Sequence, residues 1–435
     1  MFKTFRNAWK VPELRNKILY TLLIILIFRI GCHVPVPFMD PNAIQSMFAD
    51  GNFLSYMNIL SGGALSQGTL FSLSIQPYIN ASIIVQLLTY ALPPLENLQK
   101  EGESGRKKIQ KITSFVSLGI AFVMSYAYYM TLRNNGALNY TGGFAGVFTA
   151  AVIILALAAG SCLVVWLGNR VNEKGIGNGI SIILFAGIVS RGPGAILNMF
   201  VNAETNPRLY IAIPIVLLVF VFMIGFIVFM NESERRIPIQ YAKRVVGRKQ
   251  YGGQNTHIPI KIAMSGVMPI IFAMAIMSLP STLSMFINPD NTTNPDGFWH
   301  KFYVGFLNFF SYQSPWYAIL YFLLIIAFNY FYVSMQYNPI EIANNLRQNN
   351  GGIPGIRPGK PTSDFIQRVL GKITLVGAFF LGVIAIFPIL TNLAMPQLGI
   401  AMGGTSILIV VSVVLETVRT LESQMMMRHH KGFLE

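Results

Sequence analysis

The sequence predicts an all-α polytopic membrane protein with ten transmembrane helices and one shorter re-entrant element. Three observations predict it. Hydrophobic residues make up 53% of the 435-residue chain and charged residues only 11%, with a mean hydropathy of +0.53. A soluble chain carries about a quarter charged residues. Apolar windows of about 20 residues, long enough for a ~30 Å hydrocarbon core, recur along the chain. Basic residues collect in alternate gaps between these windows.

The expected spans are 18–36, 75–92, 112–132, 149–167, 180–199, 209–230, 262–285, 316–337, 369–390 and 400–421. The first apolar run is followed by Pro35 and Pro37 rather than by a small-residue cleavage site, so it reads as a span and not a signal peptide. The segment 53–68 is too short and too polar to cross lipid. Gly62, Gly63, Gly68 and Pro77 make one uniform helix through 53–92 improbable. The better reading is a half-helix, a break, then a full span. A break exposed to lipid would leave backbone N–H and C=O groups unpaired at several kcal/mol each. It must be buried in protein or face water, which makes the chain a candidate channel or transporter.

Orientation follows from charge. Of 32 Lys and Arg, 27 fall on one side of the expected topology. Only Arg29, Arg133, Arg191, Arg208 and Lys301 fall on the other. The positive-inside rule puts both termini in the cytoplasm, so the net charge of +15 is mostly topology. The same basic face suits an anionic partner such as ribosomal RNA. Span interiors hold almost no ionisable residues; Arg29 and Glu416 sit near opposite ends of their spans. That weighs against an ion-coupled pump.

At the N-terminus, Phe2, Phe5 and Trp9 recur at helical spacing with Lys3, Arg6 and Lys10 between them, as in an interfacial amphipathic helix over 1–17. Loops 231–261 and 338–372 are too long and too basic for simple connections. They read as solvated topogenic loops or as a docking surface for a soluble partner. The run GIPGIRPGKPT at 352–362 superficially resembles a phosphate loop. Pro354 and Pro361 break that pattern, so no nucleotide site is expected there. No nucleophile–base pair and no metal-ligand spacing is visible, and no cofactor is expected. Cys32 and Cys162 read as small buried apolar residues rather than a disulfide. Small residues such as Ser161 and Ser181 read as helix-packing positions. Ile75 and Ile79 share one helix face, as do Leu184 and Ile188; such pairs serve lipid contact, packing or pore lining.

Several ordered motifs together resemble the SecY family of protein-conducting channels along nearly the whole chain. They are FRIGCHVPVP (28–37), SGGALSQGTLFSLSIQPYINASIIVQLL (61–88), KEGESGRKK (100–108), EKGIGNGISIILFAGIV (173–189), RRIPIQYAKR (235–244), GVMPIIFA (266–273), GGIPGIRPG (351–359) and GGTSILIVV (403–411). The resemblance implies two pseudo-symmetric inverted halves of five spans, 18–199 and 200–421, with the 191–208 loop as hinge and 422–435 as a cytoplasmic tail. It implies a plug over 53–68, including Ser61, Gly62, Gly63, Ala64 and Leu65. It implies a pore ring of Ile75, Ile79, Leu184, Ile188, Ile271 and Ile409. Leu184 departs from the isoleucine often found at its position but keeps branched apolar character.

A lateral gate between spans two/three and seven/eight is also implied, with Asn80 facing Leu279. Leu279 replaces an aromatic residue found in some relatives. Partner docking falls to Arg357, then to Arg235, Arg236, Lys243 and Arg244. The implied activity is passive conduction of unfolded secretory polypeptides across the bacterial cytoplasmic membrane. Lateral insertion of membrane segments into lipid goes with it. The implied partners are SecE-like and SecG-like subunits, the SecA motor ATPase, the ribosome, and signal sequences. The alternative from another class is a secondary transporter of small solutes. An embedded hydrolase has no support in the residues.

Overall fold

A computed structural model of the chain describes residues 6, 8–47, 58, 61–140, 142–205, 209–241, 244–246, 249–251, 255–284, 305–306, 309–310, 314–394 and 404–431. Helices occupy all ten expected spans. In chain order they are α1 (Pro12–Gly31), the short α2 (Pro41–Ser46), α3 (Gln76–Ala91), α4 (Pro93–Lys100), α5 (Glu103–Asn134), α6 (Gly143–Lys174), α7 (Gly179–Thr205), α8 (Leu209–Glu232), α9 (Met268–Ser284), α10 (Pro315–Gln336), α11 (Pro339–Gln348), α12 (Lys360–Ala394) and α13 (Gly404–Lys431). Among the described residues, six stretches are individually long and apolar enough to cross a membrane, and the bent pair α3–α4 makes a seventh.

Local sequence explains the breaks. Pro77 lies in the first turn of α3, where its missing N–H has no helical partner to lose. Leu92 is extended (φ −111°, ψ 116°) because the residue before a proline avoids the helical region. Pro93 then opens α4 at 98° to α3.

Packing runs in the same order in both halves. α3 packs on α5, α5 on α6 and α6 on α7; α9 packs on α10, α10 on α12 and α12 on α13. α13 also packs on α7 and α8, which joins the halves along one side. Small residues permit the tight crossings. A Cβ on Gly160 of α6 would lie 1.9 Å from the Leu70 carbonyl oxygen, and Ser161 Oγ donates to Ser74 O at 3.1 Å.

The helical fold class holds, with one addition and three corrections. The two basic loops also carry strands. Strands β1 (Glu234–Tyr241), β4 (Asn255–Lys261) and β5 (Gly351–Gly352) form a sheet of order β4-β1-β5, and β2 (Arg244–Val246) pairs with β3 (Lys249–Tyr251). The two long basic loops therefore share one antiparallel sheet, with Tyr241 opposite Gly351. First, the expected hinge is helical through 191–205, because α7 accommodates Pro193 and continues to Thr205. Second, the described part of the expected half-helix, 61–68, is a chain of turns following the helical Asn58. The rest of 53–68 lies outside the described residues, as do Phe2, Lys3 and Phe5. Third, Cys32 is buried but Cys162 is exposed on α6; both are free thiols.

Candidate plug and constriction

The broken segment 61–75 carries most of its backbone polar groups into hydrogen bonds. Gly63 N donates to Asn58 O at 2.8 Å, Thr69 N to Ala64 O at 3.2 Å and Leu70 N to Val34 O at 2.9 Å. Side chains add to these: Leu65 N donates to Ser61 Oγ and Ser66 N to Asn58 Oδ1, at 3.2 and 3.0 Å. Ser61, Ala64, Leu65, Thr69 and Phe71–Ile75 are buried. The break thus sits inside protein, as backbone at membrane depth requires. Gly62 and Gly63 take φ of +69° and +90°, which costs glycine little and a side chain much.

Besides Ser161, three scaffold side chains among the described residues hold this segment. Arg29 Nη1, near the end of α1, donates to Gly62 O at 3.2 Å and to Ser190 Oγ of α7 at 2.9 Å. Tyr128 OH of α5 donates to Leu65 O at 2.9 Å. Cys32 Sγ lies 3.7 Å from Ser61 O. A Cβ on Gly63 would lie 3.0 Å from Arg191 Nη1, so a second guanidinium flanks the same turn. Sequence reading treated Arg29 as a charge near a helix end and missed this role. Its partners lie 33 and 161 residues away, and no local signal points to them.

Below the held turn lies one apolar cluster. Ile75, Leu184, Ile188 and Ile409 are buried members, and Ile79 packs against them half-buried. Ala64 of the held segment belongs to the same cluster. Five of the six expected ring residues therefore meet, contributed by 61–75, α3, α7 and α13. Ile271 is not among them. It is half-buried on the first turn of α9, where Val267, one turn earlier, packs against the cluster instead. Branched apolar side chains from several helices can exclude water and ions without a covalent or ionic seal.

At the expected seam, Asn80 Nδ2 approaches Met124 Sδ on α5 at 3.8 Å, while Asn80 Oδ1 is buried without a hydrogen-bond partner. Leu279 is 57% exposed on α9. The pair is thus turned to different surroundings. A ring contact that sequence reading did not single out does cross from α3 to α10: Tyr90 meets Phe331 edge-on, centroids 5.7 Å apart.

The expected docking residues belong to the two loops that share the β4-β1-β5 sheet. Arg235 and Arg236 are exposed on β1, where Arg236 Nε pairs with Glu234 Oε1 at 2.6 Å. Arg357 is exposed in the turn after β5, and Thr362 Oγ1 donates to its carbonyl at 2.9 Å. Arg244 lies on β2; Lys243 lies outside the described residues. At the foot of β4, partial burial holds the Lys261 ammonium below its ordinary range, with the Arg419 guanidinium adding and the Glu234 carboxylate opposing. No group of His, Cys, Asp and Glu able to hold a metal occurs among the described residues.

Fold and packing together define a polytopic helical membrane protein in which a buried irregular segment packs on an apolar cluster. The SecY family profile matches residues 69–418. Protein translocase subunit SecY of Streptomyces coelicolor is 40% identical over 449 residues, covering 100% of each chain. A solved SecY whose plug domain stabilises the closed state of its translocation channel superposes with a TM-score of 0.65 at 20% identity, covering 94% of this chain and 92% of that one. Sec61 in the canine ribosome–channel complex superposes at 0.60 and 19% identity, covering 94% and 92%. The chain belongs to the SecY family.

Proposed function

We propose that this chain is the pore-forming subunit of a Sec-type translocon. It conducts unfolded polypeptides passively across the cytoplasmic membrane of a bacterium and releases apolar segments sideways into lipid. The observation that carries this reading is the joint seat of plug and ring, with Ala64 of the held turn packed in the same cluster as Ile75, Leu184, Ile188 and Ile409. Relatives named as SecY translocase subunits support it at 40% identity over the full chain.

In this reading Ser61, Gly62, Gly63, Ala64 and Leu65 are the plug. The ring comprises Ile75, Ile79, Leu184, Ile188 and Ile409, joined by Ile271 when α9 moves. The lateral gate separates α3 and α5 from α9 and α10, with Asn80 and Leu279 along it. The basic sheet end faces the cytoplasm, as do both termini, in keeping with the positive-inside rule. Arg357, Arg235, Arg236, Lys243 and Arg244 dock a SecA motor ATPase or a translating ribosome, which supplies the energy. A SecE-like and a SecG-like subunit complete the complex. A signal sequence leaving through the gate gains roughly 25 cal/mol per Å² of apolar surface removed from water.

Reconstituting the chain with its partner subunits in proteoliposomes tests this. A secretory precursor should become protease-protected only when SecA and ATP are supplied. Arg357→Glu should cut protection about tenfold while complex assembly is unchanged. Saturable uptake of a small solute without any precursor dependence would instead mark a secondary transporter.

A further inference from the structure

We propose that the Asn329 carboxamide is a positioning residue that couples the docking sheet to the gate helices α9 and α10. The proposal rests on the docking and gate assignments above. Strand β4 ends at Lys261, and α9 begins at Met268. The residues between them run through turns, with Gly266 at φ +59°. This stretch is the direct covalent link from the sheet to a gate helix, and little regular structure stiffens it.

It is clamped from outside at three points. Ile262 N donates to Ser233 O at 3.0 Å, and Ile262 O lies where a Cβ on Gly377 of α12 would be 2.7 Å away. Met264 packs in the core under the sheet with Ile237, Ile260, Val333, Ile366 and Leu370. Ser265 Oγ donates to Asn329 Oδ1. Asn329 belongs to α10 and is 2% exposed. Its Nδ2 donates in turn to Thr374 O on α12 at 2.8 Å.

One amide therefore uses its acceptor on the sheet-to-α9 turn and its donor on α12. α12 itself starts just after the Arg357 turn. Both docking loops thus converge on a single side chain carried by a gate helix. A polar residue serving only as glue between neighbouring helices would need the Thr374 bond alone. The Ser265 bond reaches instead into the irregular turn, where no helix pair is being joined. Among the twenty side chains, a carboxamide offers an acceptor and a donor side by side without charge. An apolar substitute leaves the Ser265 hydroxyl and the Thr374 carbonyl with one partner fewer in a buried place. Coupling also needs an element with two arrangements that both sites bias. The Tyr90–Phe331 contact is the reporter for that element.

The test uses the complete translocon in membranes, with Cys32→Ser and Cys162→Ser, and with Tyr90→Cys and Phe331→Cys across the seam. Crosslink yield with a short bifunctional thiol reagent is measured with and without ribosomes carrying a stalled signal-bearing chain, because the ring contact leaves the two backbones too far apart for a direct disulfide. Ribosome affinity is measured alongside. The parent should lose at least fivefold in crosslink yield on docking. Ser265→Ala should bind ribosomes within twofold of the parent yet show less than a twofold change in yield. Ser265→Thr, which keeps the hydroxyl, should restore the response. Asn329→Leu should match or exceed Ser265→Ala. A parent-like response in Ser265→Ala and Asn329→Leu overturns the role of Asn329 while leaving the gate intact. A parent that does not respond to docking overturns the gate assignment, and this proposal with it. A tenfold loss of ribosome affinity in Ser265→Ala marks a structural role only and also overturns the proposal.

Discussion

Replacing Arg29 with methionine should unseat the proposed plug. Among the described residues the Arg29 side chain makes two hydrogen bonds, one to Gly62 O of the proposed plug and one to Ser190 Oγ on the scaffold. Of these, the first ties the segment to the wall and the second aims the guanidinium. A hydrogen bond from a charged donor contributes about 1.5–3 kcal/mol. Arg29 is half-buried, which places it at the lower end, since solvent screens an exposed charge. A loss of about 1.5 kcal/mol raises the unseated population roughly tenfold. Methionine keeps the apolar stem, so the change isolates the polar contacts. Conductance of the reconstituted channel in planar bilayers, without precursor, reads that population. Arg29→Met should raise the frequency of open events roughly tenfold, in line with the same 1.5 kcal/mol. Arg29→Lys, which keeps charge but not the fork, should fall between. Tyr128→Phe removes the second tie, to Leu65 O, and should act in the same direction. If Arg29→Met leaks no more than the parent while Tyr128→Phe does, Arg29 does not hold the plug.

Other outcomes follow from the same contacts. Ile409→Asn puts an amide into the apolar cluster shared by Ile75, Leu184 and Ile188; ion leak should rise even with the plug crosslinked in place, and unchanged leak removes Ile409 from the ring. Tyr90→Ala deletes an edge-on pair worth about 0.5–1.5 kcal/mol beyond its buried area. Export of precursors with weakly apolar signals should improve severalfold, and an unaltered signal preference would show that the contact does not restrain the seam. Gly160→Val drives a side chain into the Leu70 carbonyl, which should lower stability by about 1–3 kcal/mol; a detergent melt at the parent temperature would contradict the close crossing.

The spans were legible because membrane thickness fixes length and composition together. The buried break was legible too, since Gly62, Gly63, Gly68 and Pro77 all oppose a continuous helix and lipid forbids the exposed alternative. The sheet was not seen, although Ile237, Ile239 and Tyr241 alternate with exposed Pro238 and Gln240. That period-2 signal spans only five residues and is preceded by the charged run Glu234–Arg236. Strand β5 has only two residues and comes from the other loop, so nothing local announces it. Arg29, Tyr128 and Asn329 escaped for a shared reason. Each acts on a backbone carbonyl or a hydroxyl far away in sequence, and a carbonyl leaves no residue-type signature. Asn80 and Leu279 were named from family position, but Asn80 takes up Met124 and Leu279 faces outward.

The distribution of polar ties shows how the proposed plug could be firmly seated and still leave. The side chains that hold it donate to its backbone oxygens Gly62 O, Leu65 O and Ser61 O. The proposed plug, 53–68, carries no Asp, Glu, Lys or Arg. When it moves, no charge is dragged through the constriction, and the carbonyls it exposes can be met by water in an opened pore. The guanidiniums stay behind on α1 and α7. The ring works differently, because apolar contact is non-directional and scales with area. Side chains such as Ile188 and Ile409 can part around a passing chain and close again without finding one fixed geometry. Directional bonds thus fix where the plug rests, while undirected packing seals what lies beneath it. Loss of the first should raise the frequency of opening, and loss of the second the conductance of the closed state.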